Sequence, residues 1–454
     1  MFRKNTGKDH SAGVSLLLAT IVFVAFLFSD PELSNAGDKN ISTYLLSGTS
    51  RPGFYFISPF LAMPLRGLYS FLPITNWWFV FSAAVLFVGL WIFLYLIFGM
   101  YGKNVQAFAL AVAFCNVFWE AVCKEPVNFT QTAGIACLAG MLLLIRGGLQ
   151  NKKYAGFHQL AGTFLMILSG FTRFKVMVMC MPFGIMAVCY GIFLEVRKGI
   201  RHSNRLKLLS LLCLTVVFCY GADTVYGLLD PSRKEYVDAN AAREAIYDYK
   251  GMYPSFEEAA GQYTAIGVEE SLLNMIYNNY TSDKNYFSSE SLEKIGMLKG
   301  KSNLKASDMA DKLAGHGMLW LWILVMTVYV IYLKGIRSAV LPFLGNIAVF
   351  LAGCMCFIYI GRIEWRVVVC VVLAAALFLL LMLAEGEAET IKDCMFQKIV
   401  AIAFGIYTIC VNCLTIGGGY FAFTDGQRRN KSFASKLYEP AEGYCVFYII
   451  DKVL

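Results

Sequence analysis

Charged residues are scarce in this 454-residue chain, at 15% of the sequence against the about 25% of an ordinary soluble domain. Hydrophobic residues make up 58% of it, and the mean hydropathy is +0.58. The length alone would allow two or three soluble domains, but this composition excludes them, and an aromatic content of 15% excludes intrinsic disorder. Apolar runs of about 18 residues or more recur, and each is long enough to cross a bilayer as a helix. We therefore predict an all-α, polytopic integral membrane protein.

Signals for metal and nucleic-acid binding are also missing. The four histidines show no HExxH-like spacing, so no zinc site is indicated. Most of the 14 cysteines lie inside apolar runs, which favours buried thiols that behave as small hydrophobes. The net charge is +8, but no dense Lys/Arg stripe is interleaved with aromatic residues, so nucleic acid is not an expected partner.

The apolar runs predict eleven transmembrane helices. They lie near residues 13–29, 76–98, 105–123, 128–145, 159–171, 176–195, 208–229, 318–334, 339–360, 366–384 and 399–416.

The distribution of positive charge predicts the orientation. With the N-terminus in the cytoplasm, the short cytoplasmic segments carry 16 Lys and Arg and the short outer segments carry 8. Cytoplasmic loops carry the Lys/Arg excess in membrane proteins. The expected location is a plasma membrane, with the N-terminus inside and the C-terminus outside.

This topology divides the chain into four parts. A transmembrane module covers residues 1–229 and includes a first outer loop at 30–75. An extracytoplasmic loop follows at 230–315, then C-terminal transmembrane helices at 316–416 and an outer tail at 417–454. All the long polar stretches fall on the outer side, which favours recognition or chemistry there.

The outer segments are predicted to be helical. Phe54–Leu72 is apolar but contains prolines and an arginine, which favours helices lying in the outer interface. In the long loop, Tyr236–Lys250, Val268–Tyr280 and Ser288–Lys299 have helical patterns, and Ser255 followed by Glu258 has the spacing of a capping box.

Several short motifs carry a family resemblance. The first outer loop contains Asn35-Ala-Gly-Asp38, Leu46-Ser-Gly48 and Pro73-Ile-Thr-Asn-Trp77, and the long loop contains Arg243-Glu-Ala-Ile-Tyr-Asp-Tyr249. With the many spans and interfacial segments, these motifs resemble the GT-C superfamily of polytopic glycosyltransferases, and most closely a GT-C-like group from Gram-positive gut bacteria. The resemblance implies a GT-C-like fold with outer interfacial helices and a donor sugar linked to a lipid phosphate.

The resemblance also implies catalytic acids in outer loops. Asp38 in the first loop is the first choice for the base that deprotonates an acceptor hydroxyl, and Glu120 is the candidate second acid. Each has a structural alternative: Asp38 as a solvated loop or N-cap residue, and Glu120 as an interfacial carboxylate paired with Lys124.

A departing phosphate requires nearby cations, supplied by basic side chains or by a divalent ion such as Mg²⁺ or Mn²⁺. Arg173, Lys175, Arg362 and Arg366 lie at predicted outer turns, against the bias of the other positive charges, and are the candidate phosphate ligands. Anchoring to lipid headgroups is the alternative. Asn128 is a candidate for binding a sugar hydroxyl or for an interhelical hydrogen bond.

The expected function is therefore transfer of a sugar from a polyprenyl-phosphate-linked donor to a glycan or cell-envelope acceptor, with membrane lipid as the other partner. A membrane transporter, a lipid-linked glycan flippase or a polymerase are alternatives, and Asp223 within a span is the residue that favours transport. A non-enzymatic membrane scaffold is a third class.

Overall fold

The structure is a computed structural model that describes residues 11–34, 37–47, 57–102, 105–150, 155–200, 203–230, 241–249, 252–277 and 289–385. These residues are helical apart from their connections, and their β-structure is limited to one isolated bridge, between Leu33 and Val127. Nine of the helices in this part of the chain are long and apolar enough to cross a membrane. The prediction of an all-α polytopic membrane protein is confirmed.

The nine helices match ten of the eleven predicted spans. The nine are Ser11–Phe28, Trp77–Tyr101, Val105–Cys123, Phe129–Arg146, Ala155–Arg197, Ser203–Leu229, Gly317–Lys334, Ile336–Tyr359 and Trp365–Glu385. The predicted spans 159–171 and 176–195 both fall within Ala155–Arg197. The predicted span 399–416 and the tail 417–454 lie outside the described residues, so the exact count stays a prediction.

The described residues fall into two compact units. The first lies within Met1–Gly48 and Met63–Asn128, and the second within Thr49–Ala62 and Phe129–Glu389. This division separates the chain near residue 128. The predicted division into residues 1–229, 230–315, 316–416 and 417–454 stays a prediction.

The first unit packs α1 (Ser11–Phe28), α2 (Asp38–Ser47) and α5 (Val105–Phe118) around α4 (Trp77–Tyr101). A single π-helical turn at Trp119–Cys123 extends α5. The side-chain oxygen of Asn76 accepts a hydrogen bond from the backbone N–H of Phe79 and so caps the start of α4.

Polar side chains join α2, α3 and the start of α4 within the first unit. The helix α3 (Pro59–Phe71) carries Tyr69, whose hydroxyl donates to the side-chain oxygen of Asn76 at 2.9 Å. Ser42 of α2 donates to the same oxygen at 3.0 Å. The predicted helix between Phe54 and Leu72 is thus present as α3, and residues 54–56 lie outside the described part of the chain.

The second unit contains six long helices. They are α6 (Phe129–Gln150), α7 (Ala155–Arg197), α8 (Ser203–Leu229), α14 (Gly317–Lys334), α15 (Ile336–Tyr359) and α16 (Trp365–Glu385). The most extensive packing is between α6 and α7, and α16 packs against both of them.

The helix α7 changes direction at Arg173. A straight helix of its 43 residues would be about 65 Å long, far more than the about 30 Å of a bilayer core. The backbone of Arg173 is extended (φ −160°, ψ 94°), which interrupts the helix. Before this point the chain runs antiparallel to α6: Ser169 donates a hydrogen bond to the carbonyl of Ala133 at 2.7 Å, and Gly162 lies against Gly140.

After the turn the chain runs back along the same helix. Val176 lies beside Gly134, and further on Gly184 lies beside Met141. Gly162 and Gly184, equally far from the turn along the sequence, therefore meet the same level of α6. The two halves of α7 form a helical hairpin, as two separate predicted spans require.

The backbones of α6 and α7 are in direct contact where glycines face each other. A Cβ placed on Gly162 would lie 2.7 Å from the carbonyl oxygen of Gly140 and 2.9 Å from the backbone nitrogen of Leu144. Small residues allow such close approach between membrane helices, where van der Waals packing drives association.

Five short helices follow α8 in the loop between membrane helices. They are α9 (residues 241–247), α10 (Phe256–Ala265), α11 (Glu270–Tyr277), α12 (Ser289–Gly296) and α13 (Ala306–Ala314). They confirm the predicted helices within the described residues, and α13 is an additional one. Both hydrogen bonds of the predicted capping box are present between Ser255 and Glu258. Buried residues such as Ile246, Tyr263 and Ile276 form a hydrophobic core within this segment.

An ion-pair network joins three helices at the other end of the second unit. Arg205 of α8 donates to Glu195 of α7 at 2.8 Å and contacts Glu385 of α16 at 3.1 Å. Its guanidinium lies directly over Gly191, where a Cβ would overlap it. The glycine therefore provides the space for this arginine.

We expect Gly162→Ala to destabilise the protein because the added methyl has no space between α6 and α7. Overpacking of this kind costs about 1–3 kcal/mol, so the melting temperature of the purified protein in detergent should fall. Gly221→Ala is the matched control, because a Cβ at that helical glycine meets nothing within 4 Å. Equal melting temperatures for the two variants would contradict the proposed packing.

The hairpin in α7 predicts that Lys175 and Lys198 face opposite sides of the membrane. Lys175→Cys and Lys198→Cys, made in a chain whose native cysteines are replaced, should react with an impermeant maleimide from opposite faces of oriented vesicles. Gel filtration of each variant checks that it is folded. Labelling of both positions from the same face would show that the hairpin is wrong.

Candidate functional site: a basic cluster with two acids

Four basic residues predicted as phosphate ligands belong to one end of the second unit. Arg173 lies at the turn of α7 and Lys175 follows it, whereas Arg362 precedes α16 and Arg366 lies in its first turn. Arg173 is close enough to both Arg362 and Arg366 for their charges to interact. We call these four residues the basic cluster.

Arg173 is held in place by the start of α6. Its Nη1 donates to Thr130 Oγ1 at 2.8 Å, and its guanidinium lies 4.4 Å from the centroid of the Phe129 ring. These contacts combine a hydrogen bond with a cation–π interaction. They position a positive charge beside the buried N-terminal end of α6, where the helix dipole adds to the positive potential.

Glu244 of α9 and Asp248, the residue directly after α9, contact the basic cluster through their carboxylates. Asp248 Oδ2 lies 2.6 Å from Arg362 Nη1, and Glu244 Oε1 lies 2.9 Å from Lys175 Nζ. Glu244 is also 3.9 Å from Arg362. Their i,i+4 spacing places both acids on one face of α9.

The two carboxylates have opposite pKa shifts. Burial acts to raise the pKa of Glu244, but Lys175, Arg173 and Arg362 outweigh it, so the pKa lies below its ordinary value. Burial also raises the pKa of Asp248, Arg362 offsets this only in part, and the neighbouring charge of Glu244 adds to the increase. Asp248 is therefore the more basic of the two carboxylates.

The backbone before Arg362 needs a glycine. Gly361 has φ +74°, in the left-handed region, and a Cβ there would lie 2.5 Å from Met252 Cγ. Gly361 thus lets the connection between α15 and α16 turn tightly against the loop segment. Nearby, the ring of His316 stacks on that of Trp365 with 3.4 Å between centroids.

Asp38 has a different environment, within the first unit. It is the first residue of α2, it is buried, and the indole Nε1 of Trp78 donates to its Oδ1 at 3.0 Å. An acid in the first turn of a helix is stabilised by the helix dipole. Asp38 is thus the first residue inside the helix, directly after Gly37, and its side chain is buried rather than solvated. Its catalytic role stays a prediction.

Glu120 and Asn128 also lie in the first unit. Glu120, in the π-helical turn, forms an ion pair with Lys124 at 2.7 Å, as the structural alternative predicts. The buried Asn128 donates to the carbonyl of Pro126 at 3.0 Å. The bridge between Leu33 and Val127 places the backbone of the first loop next to the segment that follows the π-helical turn. The first loop therefore lies near the turn that carries Glu120, the predicted second acid.

Glu244 and Asp248 are not among the site residues that the sequence predicts. The signal in the sequence that points to them is their i,i+4 spacing within the motif Arg243-Glu-Ala-Ile-Tyr-Asp-Tyr249. Among the described residues, no group of three or more His, Cys, Asp or Glu is arranged to hold a metal ion. The arrangement is suited to binding an anion, because Arg and Lys donate several charge-assisted hydrogen bonds to phosphate oxygens.

Comparisons with known proteins add no family. No protein-family model, no curated protein and no solved structure matches this chain.

Proposed function

We propose that this chain is a membrane glycosyltransferase that moves a sugar from a polyprenyl-phosphate-linked donor to a glycan or envelope acceptor. The observation that carries the proposal is the basic cluster, which joins Arg173, Lys175, Arg362 and Arg366 at one end of a bundle of membrane helices. A lipid-linked phosphate lies at the membrane surface with its chain in the bilayer, so cations at the end of a helical bundle are suitably located to bind it.

The distribution of charge supports an outward-facing site. The opposite end of the second unit carries further basic residues, and these match the Lys/Arg excess expected of a cytoplasmic face. They include Arg146, Arg197, Lys198, Lys334 and Arg337. Under this proposal the basic cluster and α9–α13 lie outside the plasma membrane, where envelope acceptors are found.

The proposed reaction assigns a role to each side chain. A carboxylate removes the proton from an acceptor hydroxyl, and the acceptor oxygen forms a bond to the anomeric carbon of the sugar. The bond from that carbon to the phosphate oxygen breaks, and the phosphate leaves with the electron pair. The basic cluster stabilises the charge on the departing phosphate.

We assign the base to Asp248. It is the carboxylate in closest contact with the basic cluster, and its raised pKa makes it a better proton acceptor at neutral pH than an ordinary aspartate. Asp38 and Glu120 are the alternatives that the sequence suggests.

We expect Arg362→Gln to lower the turnover of a polyprenyl-phosphate hexose by about 100-fold, because one donor to the developing charge is typically worth 10²–10³ in rate. Purified protein in liposomes would be tested with a panel of radiolabelled undecaprenyl-phosphate hexoses and envelope glycan acceptors. Lys312→Gln is the control, because it removes one positive charge from an exposed residue of α13. Similar loss in both variants would contradict a specific phosphate site.

The same assay distinguishes the candidate bases. Asp248→Asn should abolish transfer while leaving donor binding in place, and Asp38→Asn should retain transfer if its role is to start α2. Loss of transfer in Asp38→Asn alone, with folding intact, would return the base to Asp38. Unchanged transfer in Asp248→Asn would remove our assignment.

One observation favours transport as a second candidate function. Asp223 lies in the candidate membrane helix α8, and Ser58 Oγ donates a hydrogen bond to its Oδ1 at 2.6 Å. Ionisable residues at such positions often mark transport pathways. Transfer of a labelled solute or lipid-linked sugar across proteoliposomes, lost in Asp223→Asn and kept in Ser58→Ala, would support a transporter or flippase.

A further inference from the structure

We propose that α9 is an acidic cap on the basic cluster, and that Glu244 and Asp248 occupy positions which the phosphate oxygens of a bound ligand take over. This inference rests on the proposed phosphate site and adds how access to that site is controlled. The ligand class is a phosphate group with about two negative charges, as in a sugar linked through a diphosphate or in the polyprenyl phosphate monoester that leaves after transfer.

The contacts of the two acids resemble those of a bound anion. Asp248 and Glu244 both approach Arg362, and Glu244 also contacts Lys175. One arginine therefore contacts two neighbouring carboxylates, as it would contact two oxygens of a phosphate group. An incoming phosphate would need the same donor atoms, so it must compete with the cap.

The two carboxylates also repel each other. They are close enough for the charge of Glu244 to raise the pKa of Asp248. Two like charges side by side are held there by the surrounding cations. A multiply charged phosphate carries its negative charge on one covalent group, so it can satisfy the same cations without confining two separate side chains.

The apolar contacts of α9 are separate from its polar contacts with the basic cluster. Ile246 of α9 packs with Tyr263, Leu273 and Ile276 of the loop segment. These contacts belong to the segment itself, whereas the contacts of Glu244 and Asp248 with α7 and Arg362 are polar. Breaking the polar contacts leaves the apolar core of the segment intact.

Arg362 connects the cap to the membrane helices through a short joint. Gly361, with its positive φ, packs on Met252, and the carbonyl of Met252 accepts a hydrogen bond from the Gly300 backbone at 2.7 Å. Asp248 is the partner of Arg362 in this arrangement. A phosphate that takes its place on Arg362 would free the carboxylate that we assign as the base. For a donor linked through a diphosphate, binding of the donor and release of the base would then be one event.

The first test measures the binding of radiolabelled inorganic pyrophosphate to the full chain in phosphatidylcholine nanodiscs, which carry no competing net charge. Because the competing acids are removed, Glu244→Gln/Asp248→Asn should bind at least tenfold more tightly than the unaltered protein. Glu257→Gln/Glu269→Gln is the matched control, since it makes the same charge change at exposed residues of the same segment. It should leave the Kd within twofold.

A second measurement does not depend on the folding of a variant. Addition of pyrophosphate to the unaltered protein should speed hydrogen exchange of the backbone amides in residues 241–249 and leave those of α10 unchanged. Slower or unchanged exchange in 241–249 at saturating pyrophosphate would overturn the cap.

The outcomes separate this inference from the proposed function. If the unaltered protein and the double variant bind equally, and Arg362→Gln abolishes binding, the cap is wrong and the phosphate site stands. If the double variant binds and the unaltered protein does not, the cap is supported in its strongest form. If none of them binds pyrophosphate, both the cap and the phosphate site are overturned.

Discussion

A charge within a bundle of membrane helices must have a partner, because its transfer from water to a medium of low dielectric constant costs several kcal/mol. The second unit meets this requirement at both of its ends. At one end Arg205 pairs with Glu195 and Glu385, and at the other Arg173, Lys175 and Arg362 meet a hydroxyl, an aromatic ring and two acids. In the apolar middle of the bundle, backbones pack directly against each other at Gly140 and Gly162, and Asn346 of α15 donates a hydrogen bond to the carbonyl of Ala375 in α16.

The two ends differ in what their charges accomplish. Arg205 forms ion pairs with acids at the ends of α7 and α16, and its guanidinium packs over Gly191. This geometry holds the helix ends together. The basic cluster instead pairs with acids from a loop segment that has its own core. Because these acids belong to a separate segment, another anion can replace them as partners of the basic cluster. This replacement is the physical basis of both proposals.

Much of the architecture was predictable, because hydropathy and capping are local signals. The apolar runs located the membrane helices, and Ser255 with Glu258 predicted a helix start that the structure confirms. The split of α7 was predictable because Arg173 and Lys175 interrupt an apolar run. The pairing of Glu120 with Lys124 followed from their spacing.

The remaining features depend on tertiary contacts that one sequence does not encode locally. The basic residues 173 and 362 are far apart in the chain, and their meeting depends on how α6, α7 and α16 pack. Glu244 and Asp248 are ordinary acids until the loop segment folds against Arg362. The burial of Asp38 against Trp78 likewise requires α2 and α4 to meet.

The unequal exposure of the ion pairs has a consequence for the choice of solution conditions. The side chain of Lys175 is 67% exposed, whereas those of Arg205 and Glu385 are 9% and 6% exposed. Mobile ions screen exposed pairs far more than enclosed ones, with a Debye length of about 10 Å at 0.1 M salt. Moderate salt therefore weakens the ion pair between Lys175 and Glu244 selectively. The ion pairs of Arg205 with Glu195 and Glu385 persist and keep the helix ends together.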